Sequence, residues 1–141
     1  MNITDPYQPV RDLLIIHEGM RLKPYKDSVG KLTIGVGRNL DDVGISRDEA
    51  MILLDNDITA AMDALDEALP WWRTLDVLRS RVLIDMAFNL GITRLLGFKQ
   101  MIAALQAGQY DVAALQMLKS KWAEQVGSRA QTLAAMMQGQ V

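Results

Sequence analysis

The chain contains no cysteine, which excludes both a disulfide framework and thiol chemistry. Its single histidine, His17, removes His-paired catalysis elsewhere and argues against a zinc site. No apolar run approaches the roughly 18 to 20 residues that span a bilayer. The opening stretch MNITDPYQPVRD lacks the basic start and apolar core of a secretion signal. The expectation is therefore a soluble protein, cytoplasmic at synthesis, that reaches any later destination by a separate release route. No concentrated basic stripe with interleaved aromatics is present, so nucleic acid is not an expected partner. No carboxylates fall at EF-hand spacing, and no metal is expected.

What is present is apolar bulk: half of the 141 residues, enough for one sizeable core. Net charge is −2, unevenly spread: +2 over residues 1–40, −8 over 41–67 and +4 over 68–141. The acidic block reads as the solvated face of a helix, with mildly basic flanks suited to an anionic polymer.

Asp5 and the two prolines of DPYQPVRDLLIIHEG suit the start of a helix carrying Val10, Leu13, Leu14 and His17 on one face. Gly19 is placed to end it in a left-handed cap. From Leu22 to Leu40 the period shortens to that of a small antiparallel hairpin, with DSVG as its turn. Ser46 and Glu49 form a capping box that opens a long helix ending at Pro70, with an apolar stripe from Ala50 to Leu69. Leu78, Val82, Met86 and Leu90 line a further helix that stops at Gly91, and Ser128 is placed to cap the last helix. The fold class is α+β. A hairpin lobe over about 1–45 is joined by a helix over about 46–69 to a helical lobe over about 70–141, all one domain.

Glu18 closes the first helix, where the dipole opposes a carboxylate and apolar neighbours would desolvate it. Both effects favour a retained proton, as a general acid requires. Asp27 lies by a polar turn that keeps it ionised, and Thr33, across the hairpin, offers a hydroxyl to a water held by Asp27. Two carboxyls in contrasting surroundings plus a water-orienting hydroxyl suit hydrolysis of a glycosidic bond. The same residues also admit a structural reading: Glu18 as a surface carboxylate paired with an arginine, Asp27 as a turn residue, Thr33 as an ordinary strand residue.

The stretch HEGMRLKPYKDSVGKLTIGVG resembles the active-site region of the phage-type lysozymes, glycoside hydrolase family 24. Glu18, Gly19, Arg21, Leu22, Tyr25, Asp27, Thr33, Ile34, Gly35 and Gly37 match that family's pattern in order and spacing. MAFNLG at 86–91, Gly97-Phe98 and KSKW at 119–122 resemble three further family motifs. The resemblance implies a lysozyme-like fold and an endolysin-type muramidase. Such an enzyme hydrolyses the β-1,4 bond between N-acetylmuramic acid and N-acetylglucosamine with inversion. It also implies Glu18 as general acid, with Asp27 and Thr33 placing and activating the water. The implied partner is the peptidoglycan glycan strand, reached after release to the cell wall with a separate membrane-permeabilising partner. No cofactor is implied, and a monomer is the default.

The resemblance further places Arg38, Asn39, Phe88, Met101, Gln116 and Arg129 at substrate-binding or cleft positions. Arg129 falls where the family has an arginine able to pair with the catalytic Glu. That pairing would favour the ionised form, so the net effect on Glu18 stays open. Arg38 replaces a histidine of the T-even phage member and is a permanent cation. Asn39, Met101 and Gln116 also depart from that member, and the loop before the long helix is shorter. Two rival readings are a lytic transglycosylase, for which Asp27 and Thr33 would be superfluous, and a catalytically silent wall-binding or virion structural domain. Trp71 and Trp72 are read as packing rather than sugar platforms, His17 as a helix-end residue, and the nine methionines as core filler.

Overall fold

A computed structural model describes residues 5–140. The chain divides into two compact units, the first ending at Met51 and the second beginning at Ile52. The α+β class expected from the sequence is observed: eight α-helices and one three-stranded antiparallel sheet among the described residues.

In the first unit, the Asp5 carboxylate accepts the Tyr7 amide and pairs with Arg11, fixing the entry to α1 (Gln8–Glu18). Pro9 lies in the first turn, where its missing N–H leaves no bond unmade. Gly19 ends the helix, but with φ 74° and ψ 166° it is not the left-handed helical cap expected. Its amide still closes on the Ile15 carbonyl at 2.8 Å, and the chain then leaves directly into a strand.

The expected hairpin gains a third strand. β1 (Arg21–Lys26), β2 (Leu32–Gly35) and β3 (Arg38–Asn39) lie in that order. Gly35 and Gly37, at φ 68° and 72°, reverse the chain so that Arg38 and Asn39 pair back onto Ile34 and Thr33. Tyr25 pairs with Thr33, while Arg21 pairs with Gly35, so β1 bulges between them. Pro24, which has no amide to donate, falls within the bulge.

The capping box forms in both directions: Ser46 Oγ accepts the Glu49 amide at 3.1 Å, and Glu49 Oε1 accepts the Ser46 amide at 2.9 Å. It opens α2 (Arg47–Ala68), 22 residues and about 33 Å long. Only the second half of the expected apolar stripe is buried: Ala61 and Leu65 in the helix and Leu69 just beyond it, whereas Leu53 is 52% exposed.

The second unit holds every buried apolar side chain described, from Ala61 to Met137. After a 3-10 turn at Trp72–Thr74 come α3 (Val77–Leu90), α4 (Ile92–Leu96), α5 (Lys99–Gln106), α6 (Tyr110–Leu118), α7 (Lys121–Val126) and α8 (Ser128–Met137). Leu83, Met86, Leu95, Leu105 and Met117 form the centre of this core. Trp72 and Trp122 are buried with their indole N–H groups satisfied by Asp66 at 2.7 Å and Asn89 at 2.8 Å. Ser128 is not a cap: it is the first residue of α8, because Gly127 at φ 59° turns the chain immediately before it. Ser120 caps α7 instead, accepting the Ala123 amide at 3.2 Å.

The two units differ in what a truncation costs. Leu83→Ala, at a fully buried position, is expected to lower unfolding free energy by roughly 2–5 kcal/mol. Leu22→Ala, at 83% exposure, should stay within about 0.5 kcal/mol. Urea denaturation followed by circular dichroism measures both.

Candidate active site

Asp27 builds the turn between β1 and β2. Its Oδ1 accepts the Val29 amide at 3.0 Å and the Lys31 amide at 2.8 Å, while its own amide and carbonyl bond Lys31 and Gly30. A side chain that closes its own turn in this way is a strong reason for Asp at this position. Oδ2 takes no hydrogen bond among the described residues, so one carboxylate oxygen is fixed and the other available.

Thr33 is the single buried residue of the first unit among those described, at 3% exposure. Its hydroxyl donates to the Lys31 carbonyl at 2.9 Å. The Lys31 peptide thus binds both predicted residues, its N–H to Asp27 and its C=O from Thr33. With its proton committed, Thr33 Oγ1 presents lone pairs only. A water donating one proton to Asp27 Oδ2 and the other to Thr33 Oγ1 would be left with a lone pair to attack.

Glu18 is the last residue of α1 and is exposed, not enclosed by apolar neighbours as the sequence suggested, since no side chain of α1 is buried. Its carboxylate lies over the turn between β2 and β3. A Cβ at Gly37 would stand 3.1 Å from Glu18 Oε2 and 3.4 Å from its carboxyl carbon. Gly37 therefore has two reasons to be glycine: a positive φ of 72°, and the carboxyl group resting against it. The sequence pattern marked this position, but only the structure supplies the second reason.

Arg38 and Asn39 also lie in the first unit, and both are engaged in its construction. Arg38 forms a two-pronged pair with Glu49 at 2.7 and 2.8 Å and donates to the Gly44 carbonyl at 3.1 Å. The guanidinium and the Ser46 amide hold the Glu49 carboxyl down at about 2, while Glu49 raises the already high value of Arg38. Asn39 donates to Asp42 and accepts the Asp42 amide, both at 2.9 Å. Glu49, Asp42 and Lys31 are partners that the sequence reading missed. The capping-box spacing revealed Glu49's helix role but carried no signal of its second bond.

The remaining predicted residues lie in the second unit, in two separate hollows. Phe88 and Arg129 line one of about 330 Å³, with Leu54, Ile58, Arg81 and Asp85. Arg129 donates to Asp85 Oδ1 through Nε at 2.8 Å, and its NH2 nitrogen approaches the same oxygen at 2.7 Å. Asp85 was not singled out from the sequence. Gln116 and Met101, the latter 1% exposed, line the other hollow, of about 490 Å³. Among the described residues no group of acidic and histidine side chains is arranged to hold a metal ion, and no helix is long and apolar enough to cross a membrane.

Residues 16–138 match the family model described as phage lysozyme. A probable T4-type lysozyme 1 of Dictyostelium discoideum is 25% identical over 159 residues, covering 92% of this chain and 93% of the relative. The SAR-endolysin of Escherichia phage Mu is 30% identical over 132 residues, covering 87% of this chain and 71% of the relative. The pre-baseplate central spike protein Gp5 of Enterobacteria phage T4 is 25% identical over 154 residues, 89% of this chain but only 27% of that longer protein.

Gly37→Ala is expected to cost roughly 1–2 kcal/mol from the backbone alone and to push the Glu18 carboxyl off the turn. Thermal unfolding reads the first effect and the Glu18 carboxyl carbon shift by NMR the second. The Arg38–Glu49 pair has a definite pH window. Because the folded value of Glu49 is depressed from 4.5 to about 2, its contribution is complete above 4.5 and is lost as pH falls through about 2. In an acid titration, a Glu49→Gln variant should lack the signal of that loss.

Proposed function

The chain belongs to the phage lysozyme family, and from that premise we propose that it is an endolysin-type muramidase acting on peptidoglycan. The bond cleaved is the β-1,4 linkage from N-acetylmuramic acid to N-acetylglucosamine. The observation that carries this reading is the Lys31 peptide, which holds Asp27 and Thr33 as two acceptors suited to one water.

Glu18 gives its proton to the glycosidic oxygen as the bond from that oxygen to the anomeric carbon breaks. The water attacks the anomeric carbon from the opposite face and passes its proton to Asp27, so the product is inverted and Glu18 is left ionised. Proton exchange with solvent restores both groups. A water between the two carboxyl groups is what separates this inverting scheme from a covalent one. Thr33 does no proton transfer; it removes one orientation of the water that would point a proton at the sugar.

The products discriminate this reading from a lytic transglycosylase, which would leave anhydromuramyl ends. The likeness to part of a spike protein supports a virion structural role as the alternative, and there the wall would be bound without turnover. Glu18→Gln is expected to lower turnover roughly 10³-fold or more with the fold retained. Clearing of outer-membrane-permeabilised Gram-negative cells, with circular dichroism as the folding control, tests this. Full activity in that variant would sink the assignment. Reducing ends of α configuration, read by NMR early in the reaction, are the expected product.

A further inference from the structure

Six of the 15 lysines and arginines pair with a carboxylate: Arg11, Lys31, Arg38, Arg73, Arg79 and Arg129. The second unit has five others, and four of them, Arg94, Lys99, Lys119 and Lys121, line the single hollow of about 490 Å³. No ion pair occupies these four among the described residues, and no carboxylate lines the hollow. Phe98 and the buried Trp122, in edge-to-face contact with ring centroids 6.0 Å apart, contribute aromatic wall.

One of the four cations sits where helix electrostatics disfavour it. Lys99 is the first residue of α5, whose first turn holds no acid. The positive end of a helix opposes a cation. The hollow thus combines four like charges with one unfavourable dipole end. An arrangement that costs free energy in the empty state, and is relieved by an anion, is what a binding site for that anion looks like.

We infer that this hollow binds a clustered phosphate anion, a group carrying several negative charges close together, as a triphosphate or a bis-phosphorylated sugar does. Three of the four cations are lysines. Lysine meets an anion as a mobile point charge, so these side chains can converge on several oxygens of one ligand. Four such charges exceed what one carboxylate neutralises and suit a multivalent phosphate. The inference goes beyond the proposed hydrolysis and does not rest on it, because binding is read without turnover. Met101 and Gln116 share the hollow, so the anion would lie beside candidate sugar contacts.

The test uses the full chain and sodium tripolyphosphate, followed by isothermal titration calorimetry at low salt. Lys99→Gln with Lys121→Gln is compared with Lys23→Gln plus Arg47→Gln, which removes the same charge at cations outside the hollow. Circular dichroism checks that both fold. Tripolyphosphate is expected to bind wild type, roughly tenfold more weakly the first variant, and within about twofold of wild type the second. Co-sedimentation with zwitterionic vesicles, with and without a bis-phosphorylated glycolipid, identifies the source. Vesicle binding displaced by tripolyphosphate assigns a lipid headgroup, and tripolyphosphate binding alone assigns a free phosphate; either supports the site. Equal weakening in both variants, no binding at low salt, or tighter binding of a carboxylate-bearing muropeptide than of tripolyphosphate would overturn it.

Discussion

Asp27 Oδ1 accepts two backbone amides, and the first unit depends on bonds of this kind. Among its described residues no apolar side chain is buried, so directional polar contacts position its groups. Asp27 closes the β1–β2 turn, and Asp41 Oδ2 accepts the Leu32 amide at 2.7 Å. Asn39 and Asp42 exchange two bonds, and Glu49 joins the helix start to Arg38. Carboxylate-to-amide bonds of this kind are stronger than neutral ones and geometrically strict. They suit a small sheet that buries no apolar side chain of its own among the described residues.

The second unit follows the other strategy. Its helices are short, and several lack a side-chain cap, including α4, α5, α6 and α8. Helices of five to ten residues are marginal alone. They persist here because their buried residues meet in one core around Leu83, Met86 and Met117. Polar groups enter that core only with a partner, as the two tryptophan N–H bonds illustrate. Non-directional burial tolerates imprecise caps, whereas the sheet of the first unit does not.

That contrast explains what was legible in the sequence. Apolar periodicity read α3 correctly to Gly91, and Ser46 with Glu49 marked the start of α2, because those signals are local. Spacing and family likeness also single out Glu18, Asp27 and Thr33, and the structure places all three in the first unit. β3 was missed because two residues carry no period; glycine conformations at 35 and 37 make that strand. Ser128 was read as a cap because its residue type fits, but Gly127 turns the chain one residue earlier. The Arg38–Glu49 and Arg129–Asp85 pairs join residues 11 and 44 positions apart, and nothing in a residue's type names a partner at that distance.

Arg38 shows how the two kinds of information combine. The family likeness made it a substrate-binding candidate and noted a permanent cation where the T-even phage member has a titrating histidine. In the structure its guanidinium meets both Glu49 oxygens and the Gly44 carbonyl, so three acceptors already engage it. A histidine could neither span both carboxylate oxygens nor keep its charge above neutral pH. With an arginine, the pH limit of this contact is set by the carboxyl of Glu49, at about 2. Because Arg38 pairs with Ile34, one residue from Thr33, the joint to α2 is anchored on the strand that holds the buried Thr33. Both partners stay charged down to that limit, so this joint keeps its shape across the pH range above it. The arginine supplies that without an additional apolar contact.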